Sequence, residues 1–149
     1  WIVSFVAVIA IIAVIYVLTL QNEQPTFIES GKDFTVTVYA KEVSNLYGYQ
    51  FNLFYDYDKA TYKGELKSSI DAISMIFKKD MEDHLLVGAT MIGDVPGFSA
   101  KNVEVCTMKF TANSDIDSSI FTLNGVNTVD ADQEYLEDIS GWSIKVSVD

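Results

Sequence analysis

Phe34-Thr35-Val36-Thr37-Val38-Tyr39-Ala40, followed shortly by Tyr49-Gln50-Phe51-Asn52-Leu53-Phe54-Tyr55, is the part of the chain that decides the fold class. In the first run the apolar residues fall on one face and the threonines on the other. The second alternates large apolar with mostly polar residues. A period of two belongs to a strand half buried against a core, because successive side chains point to opposite sides of the sheet. Asp56-Tyr57-Asp58 then has the chemistry of a turn. Working outward, further strands are expected at residues 62–66, 84–91, 103–112, 120–124 and 142–148, with Gly, Asn, Asp and Ser between them. Residues 70–79 are the one helical candidate in this part of the chain. Within 103–112 the apolar positions change parity, from Val103 and Val105 to Met108 and Phe110, which predicts a bulge. Short strands with turn signals between them predict an all-β antiparallel sandwich or jelly roll. There is no internal repeat and no low-complexity tract.

Ahead of this domain, residues 1–20 (WIVSFVAVIAIIAVIYVLTL) carry no charge. As a helix they would reach about 30 Å, the thickness of a bilayer core. Thirteen of the twenty are Ile, Val, Leu or Phe, enough to favour membrane insertion by several kcal/mol. Apolar residues cover every face, so a single N-terminal hydrophobic α-helix must meet lipid or other copies of itself. Three readings stay open: a cleavable signal, a permanent anchor, and the core helix of a filament subunit. No small-residue cleavage site follows at Leu20-Gln21-Asn22-Glu23, which argues against removal there. The start at Trp1 fits either a fragment or a cut just upstream. The expected organisation is a helix over 1–22, a linker over 23–31 containing Pro25, and a sandwich domain over 32–149.

The run Phe5-Val6-Ala7-Val8-Ile9-Ala10-Ile11-Ile12 resembles the start of a mature type IV pilin. Bacterial pilins place a glutamate at the fifth mature position; Phe5 stands there, closer to the archaeal type. Ser4, Ala7, Ala10 and Ala13 recur every three residues and would let helices approach closely. With Phe5, Ile11, Val14 and Val17 they are the expected polymerisation positions. The resemblance implies a homo-oligomeric helical filament outside the cell, with the helix in the membrane before assembly.

A second resemblance lies in the domain. Gly31-Lys32-Asp33-Phe34-Thr35-Val36-Thr37-Val38, then Asn45-Leu46-Tyr47-Gly48-Tyr49-Gln50-Phe51-Asn52-Leu53-Phe54-Tyr55-Asp56 with Lys59, resembles the opening strands of cohesin domains. That resemblance implies a nine-stranded jelly roll, outside the cell, that binds dockerin modules. Cellulosomal cohesins usually carry an Asp just before the Phe of the second motif and an Asn two residues earlier. Here those positions are Gln50 and Gly48.

All charge lies after residue 22, where 21 acidic residues face 10 lysines and no arginine, for a net charge of −11. Nucleic acid is thereby excluded as a partner, since a phosphate backbone is bound by clustered Lys and Arg. Cys106, the only cysteine, rules out an intrachain disulfide and any multi-cysteine metal site, and its apolar surroundings make it a core residue. His84, the only histidine, opens the run HLLVGATM and reads as a strand end rather than a base. No phosphate loop, zinc spacing or nucleophile elbow occurs, so neither an enzyme nor a cofactor is expected. Asp130, Asp132, Glu134, Glu137 and Asp138 place five carboxylates in nine residues. Calcium takes such oxygen ligands, with Asp130, Asp132 and Glu134 as candidates. The spacing lacks the EF-hand pattern and its glycine, and a solvated loop explains it as well. The pairs Asp56/Asp58 and Asp115/Asp117 read as turn residues. Tyr39, Tyr47, Tyr49, Tyr55, Tyr57 and Tyr62 would serve as a sugar platform if exposed; core filling is the simpler reading. No N-x-[ST] sequon is present.

Two functions follow as expectations. The first is a structural subunit of a type IV pilus-like filament at the cell surface. The alternative is a membrane-anchored cohesin-like module that binds a dockerin, another protein or a glycan.

Overall fold

Period-two patterning carries most of the domain into strands. The computed structural model describes residues 24–149. These form β1 (Phe27–Ile28), β2 (Asp33–Phe54), β3 (Ala60–Ser68), β4 (Met75–Asp80), β5 (His84–Thr90), β6 (Phe98–Ala112), β7 (Ile116–Asp117), β8 (Thr122–Asp130), β9 (Tyr135–Leu136) and β10 (Trp142–Val148), with one 3-10 turn at Ser118–Ile120. The expected N-terminal helix, with Ser4, Phe5, Ala7, Ala10, Ile11, Ala13, Val14 and Val17, lies outside the described residues. Among the described residues no helix is long and apolar enough to cross a membrane.

β2 organises the molecule. The two strands expected at Phe34–Ala40 and Tyr49–Tyr55 are one strand of 22 residues, because the stretch between them keeps pairing with β6 instead of turning back. Its first half pairs antiparallel with β6 on one side and β10 on the other, Val38 facing Cys106 and Ile144. Its second half pairs with β5 and β8, Gln50 facing Gly88 and Asn127. One layer is therefore β3-β6-β2-β10 and the other β4-β5-β2-β8-β9. Inward parity switches along β2 from Phe34, Val36 and Val38 to Tyr49, Phe51 and Leu53. Between them the buried positions Ala40, Val43, Leu46 and Tyr49 step by three, with irregular pairing to β6 between Val43 and Leu46, irregular pairing to β8 between Leu46 and Gly48, and Asn45 in the left-handed region at φ 52°.

The layers meet across aromatic contacts. Phe34 meets Phe121 edge-on with centroids 5.8 Å apart, Tyr55 meets Phe110 at 5.1 Å, and Tyr49 leans on Trp142 at 5.5 Å. Phe34, Phe51, Leu53, Leu85, Met108 and Phe110 are fully buried, each contributing roughly 1.5–3 kcal/mol by leaving water.

The predicted bulge is present: Val38 faces Cys106 while the next residue, Tyr39, faces Glu104, so Val105 is the extra residue of β6. Both Val105 and Cys106 are buried as a result. Residues 70–79, expected as a helix, instead form a turn and the edge strand β4. Ile70, Ile73 and Ile76 recur at helical spacing, yet each reaches the core from turn or strand. Pairing with β5 settles the choice. Part of the expected linker also belongs to the packed structure. β1 pairs with β7, and Ile28 is fully buried.

Candidate ligand-binding face

The two outer faces differ in chemistry. On the β3-β6-β2-β10 layer, Thr35, Lys109 and Asp149 form a linked set: Lys109 Nζ lies 2.6 Å from an Asp149 carboxylate oxygen, and the Thr35 hydroxyl donates to the other at 2.8 Å. Asp33 pairs with Lys63 and accepts a hydrogen bond from the Thr111 hydroxyl at 2.6 Å. These contacts, with Lys63 first, hold the Asp33 carboxyl below its usual range. Lys145 stands 5.6 Å over the Tyr39 ring. This face is solvated and charged.

The opposite face carries two cross-strand rows. Met75, Thr90, Gly48, Val129 and Tyr135 stand in register across β4, β5, β2, β8 and β9. Phe77, Gly88, Gln50 and Asn127 form the adjacent row. Gly88 is required there: a Cβ would lie 2.3 Å from Phe77 Cζ, so the ring covers the backbone of the neighbouring strand. Gly48 is also confined, since a Cβ would come within 3.0 Å of the Ala89 carbonyl and 3.1 Å of Val129 Cγ1. Two glycines thus floor a shallow trough of about 210 Å³ whose lining holds no Asp, Glu, Lys or His. Phe77 is 50% exposed and Tyr135 55%. Gln50 is exposed. Asn127 uses its carboxamide oxygen to accept the Asp138 N–H at 3.0 Å.

Gly48 and Gln50, singled out by the cohesin resemblance, are therefore on this face and at the trough. The acidic run is elsewhere in purpose. Asp130 Oδ1 accepts the N–H groups of Asp132 and Glu134, both at 2.9 Å, and Asp132 accepts from the Asn45 carboxamide at 3.0 Å. The carboxylates close the β8–β9 turn, and among the described residues no group of three or more His, Cys, Asp or Glu is arranged to hold a metal ion. Asp56 caps the N–H of Asp58 at 2.9 Å, Asp115 that of Ser30 at 2.9 Å, and Asp117 that of Ser119 at 2.8 Å. His84 opens β5, its ring 4.5 Å from Phe54 and its Nδ1 2.6 Å from Asp83.

None of the six tyrosines clustered in residues 39–62 stands fully exposed; Tyr49 and Tyr55 are buried, Tyr55 packs on Phe110 and Phe121, Tyr62 on Phe110, and Tyr57 on Tyr55. Cys106 is buried, and desolvation pushes its thiol up to about 12. Burial likewise raises Tyr49. Its hydroxyl lies near Cys106 and Ser68, yet it is buried with no partner in hydrogen-bond geometry. Sequence reasoning missed Phe77, Asn127 and Tyr135. The available signal was Gly88, a glycine inside an apolar strand, which marks a close approach of another group.

Fold and site together define an antiparallel two-layer β-sandwich with an uncharged trough on one outer face. No protein-family model matches the sequence, and no curated protein matches it. Among solved structures the fold is cohesin-like. The cohesin module from a Clostridium perfringens family 33 glycoside hydrolase superposes with a TM-score of 0.56 at 15% identity, covering 84% of this chain and 94% of that one. The non-cellulosomal cohesin of the archaeon Archaeoglobus fulgidus gives 0.55 at 15% identity, with 72% and 75% covered. The sixth cohesin of Acetivibrio cellulolyticus scaffoldin B, solved in complex with a dockerin, gives 0.58 at 13% identity, with 75% and 89% covered.

Proposed function

We propose that this chain is a recognition module displayed at the cell surface, held by residues 1–20 and engaging an external ligand through the outer face of the β4-β5-β2-β8-β9 layer. The observation that carries the reading is the uncharged trough floored by Gly48 and Gly88, with Phe77 and Tyr135 half exposed beside it. Leaving large apolar side chains in water on one face is a mark of an interaction site. The cohesin-like fold supports it, since one similar cohesin was solved with a dockerin bound.

The test immobilises the wild-type chain and a Phe77→Glu variant and exposes both to extracellular material from the source cells. The expected result is a ligand retained by the wild type and lost from the variant. Identical retention by both would remove this face from consideration.

A filament subunit is the second reading, favoured by the uncharged residues 1–20 with Ser4, Ala7, Ala10 and Ala13 at regular spacing. Material sheared from the cell surface and labelled with an antibody to the domain separates the two. Decorated filaments that vanish in Ala10→Lys support polymerisation; label confined to membrane sheets supports an anchored module.

A further inference from the structure

A sheet ends in strands whose outward N–H and C=O groups have no neighbour, and folded proteins blunt or cover such edges. β3, β9 and β10 are treated in that way. β3 shifts register against β6 between Tyr62 and Leu66, with Gly64 in the left-handed region at φ 82° and Lys63, Glu65 and Lys67 around it. β9 is two residues long. β10 is covered in part by the segment ahead of β1, whose Thr26 hydroxyl donates to the Val146 carbonyl at 3.3 Å. β4 is the exception: Met75–Asp80 pairs with β5 in one unbroken register and with no other strand among the described residues.

The backbone of β4 is open along that edge. The Met81 N–H bonds to the His84 carbonyl at 2.9 Å, and bonded pairs alternate along an antiparallel ladder. Met75, Phe77 and Lys79 therefore bond to β5, while Ile76, Lys78 and Asp80 turn their N–H and C=O groups outward. Side chains leave the edge clear. The Phe77 ring folds back over Gly88, and Lys78 is held on its own chain, with Nζ 2.6 Å from Asp80 and 4.8 Å from the Tyr62 ring centroid.

The sequence of β4 selects what pairs there. A strand that meets its own copy about a two-fold axis normal to the sheet runs antiparallel and keeps both outer faces on one side. With the axis at Phe77, Ile76 stands against the second copy's Lys78 and Met75 against its Lys79, apolar groups against lysine stems. No like charges are opposed. An axis at Lys78 or Lys79 opposes two lysines, which is destabilising, and an axis at Ile76 leaves fewer residues paired. Charge favours the same place. β4 holds two lysines and one aspartate on a chain of net −11, so copies approach there against less repulsion than at β9, which Glu134 and Glu137 flank.

We infer that β4 pairs with β4 of a second copy of this chain, antiparallel and centred on Phe77, joining two outer layers into one sheet. The contact is isologous and closes on itself, so it makes a dimer and not a fibre. It sets two Gly48–Gly88 troughs on one side and does not depend on what they bind.

The experiment is disulfide mapping on the full chain in detergent, where the buried Cys106 stays silent. A residue on the two-fold axis meets its own copy with Cα atoms about 4.5 Å apart, within disulfide reach. Under mild oxidation Phe77→Cys should form linked dimers at least about tenfold faster than Val148→Cys, an exposed control on the other layer. A mixture of Met75→Cys and Lys79→Cys, which keeps Phe77, should link as well. Either alone should not, because like residues then stand about 14 Å apart. Equal rates for Phe77→Cys and Val148→Cys overturn the pairing. So does Met75→Cys linking alone as fast as the mixture, the mark of collision without register. A Phe77→Cys link to a different protein in native membranes overturns it too and gives the edge to that protein. Each of these failures leaves the recognition reading intact.

Discussion

Replacing Tyr49 with Phe should make the domain more stable, against the usual direction of a core substitution. The Tyr49 ring stacks on Phe51 at 6.1 Å and leans on Trp142 at 5.5 Å, and both contacts survive the change. What disappears is a buried hydroxyl with no hydrogen-bond partner. Leaving such a group unpaired costs about 1–3 kcal/mol. The lower end applies, because the hydroxyl lies near the polarisable Cys106 thiol. A gain of about 1 kcal/mol corresponds to a rise in Tm of about 4 °C for a domain of this size. Thermal unfolding of residues 24–149, followed by circular dichroism at pH 7, measures it. Tyr49→Ala serves as the control for ring packing and should cost about 3–5 kcal/mol. A Tyr49→Phe variant that melts at the same temperature as the wild type or below it refutes the reasoning and shows that the hydroxyl is satisfied.

Other expectations are as direct. Gly88→Ala should push Phe77 off the sheet, since the new Cβ would overlap the ring; ligand retention should fall with the loss of that wall, while Tm drops by only a few degrees because the edge-strand ring is free to swing outward. Stability should decline as pH falls below about 3.8, the ordinary value from which Asp33 and Asp149 are lowered by Lys63 and Lys109. A lowered folded-state value means the contribution is present above the unfolded value and lost as the carboxylate protonates. Asp33→Asn should flatten that acid limb in a pH series of urea melts. Cys106, buried with its thiol raised to about 12, should resist alkylation by iodoacetamide at pH 8 in the folded protein and react once urea unfolds it. Rapid labelling of the native protein would place the thiol at an accessible surface.

Much of the sandwich could be read from residue patterning, and the places where reading failed share a cause. Alternation marks Phe34 to Val38, Tyr49 to Leu53 and the β10 strand because each has one face in water and one in the core. The bulge in β6 was legible because the apolar positions change parity from Val103 and Val105 to Met108 and Phe110 within one strand. The continuity of β2 was not, since Lys41, Glu42 and Ser44 carry no apolar signal and the strand is carried through them by pairing with β6 and a bond from the Lys41 N–H to the Gly141 carbonyl. The β4 strand was hidden because three isoleucines spaced by three look alike in a helix and in a turn followed by a strand. That error concealed Phe77, and with it the trough. Gln50 and Gly48 were noticed from a family resemblance, but their partners Asn127 and Tyr135 come from strands far along the chain, and only register brings them together.

The passage of one strand through both layers also governs how the chain must fold. Neither layer can be finished while β2 is unsettled, so partial unfolding of one should draw the other with it and give a single cooperative transition. Closing the sheet requires Phe34 to find Val148, a pairing of residues near opposite ends of the domain. Such distant closures must be reached before their contacts reward them, which places folding in the slow range of milliseconds to seconds typical of non-local β topologies.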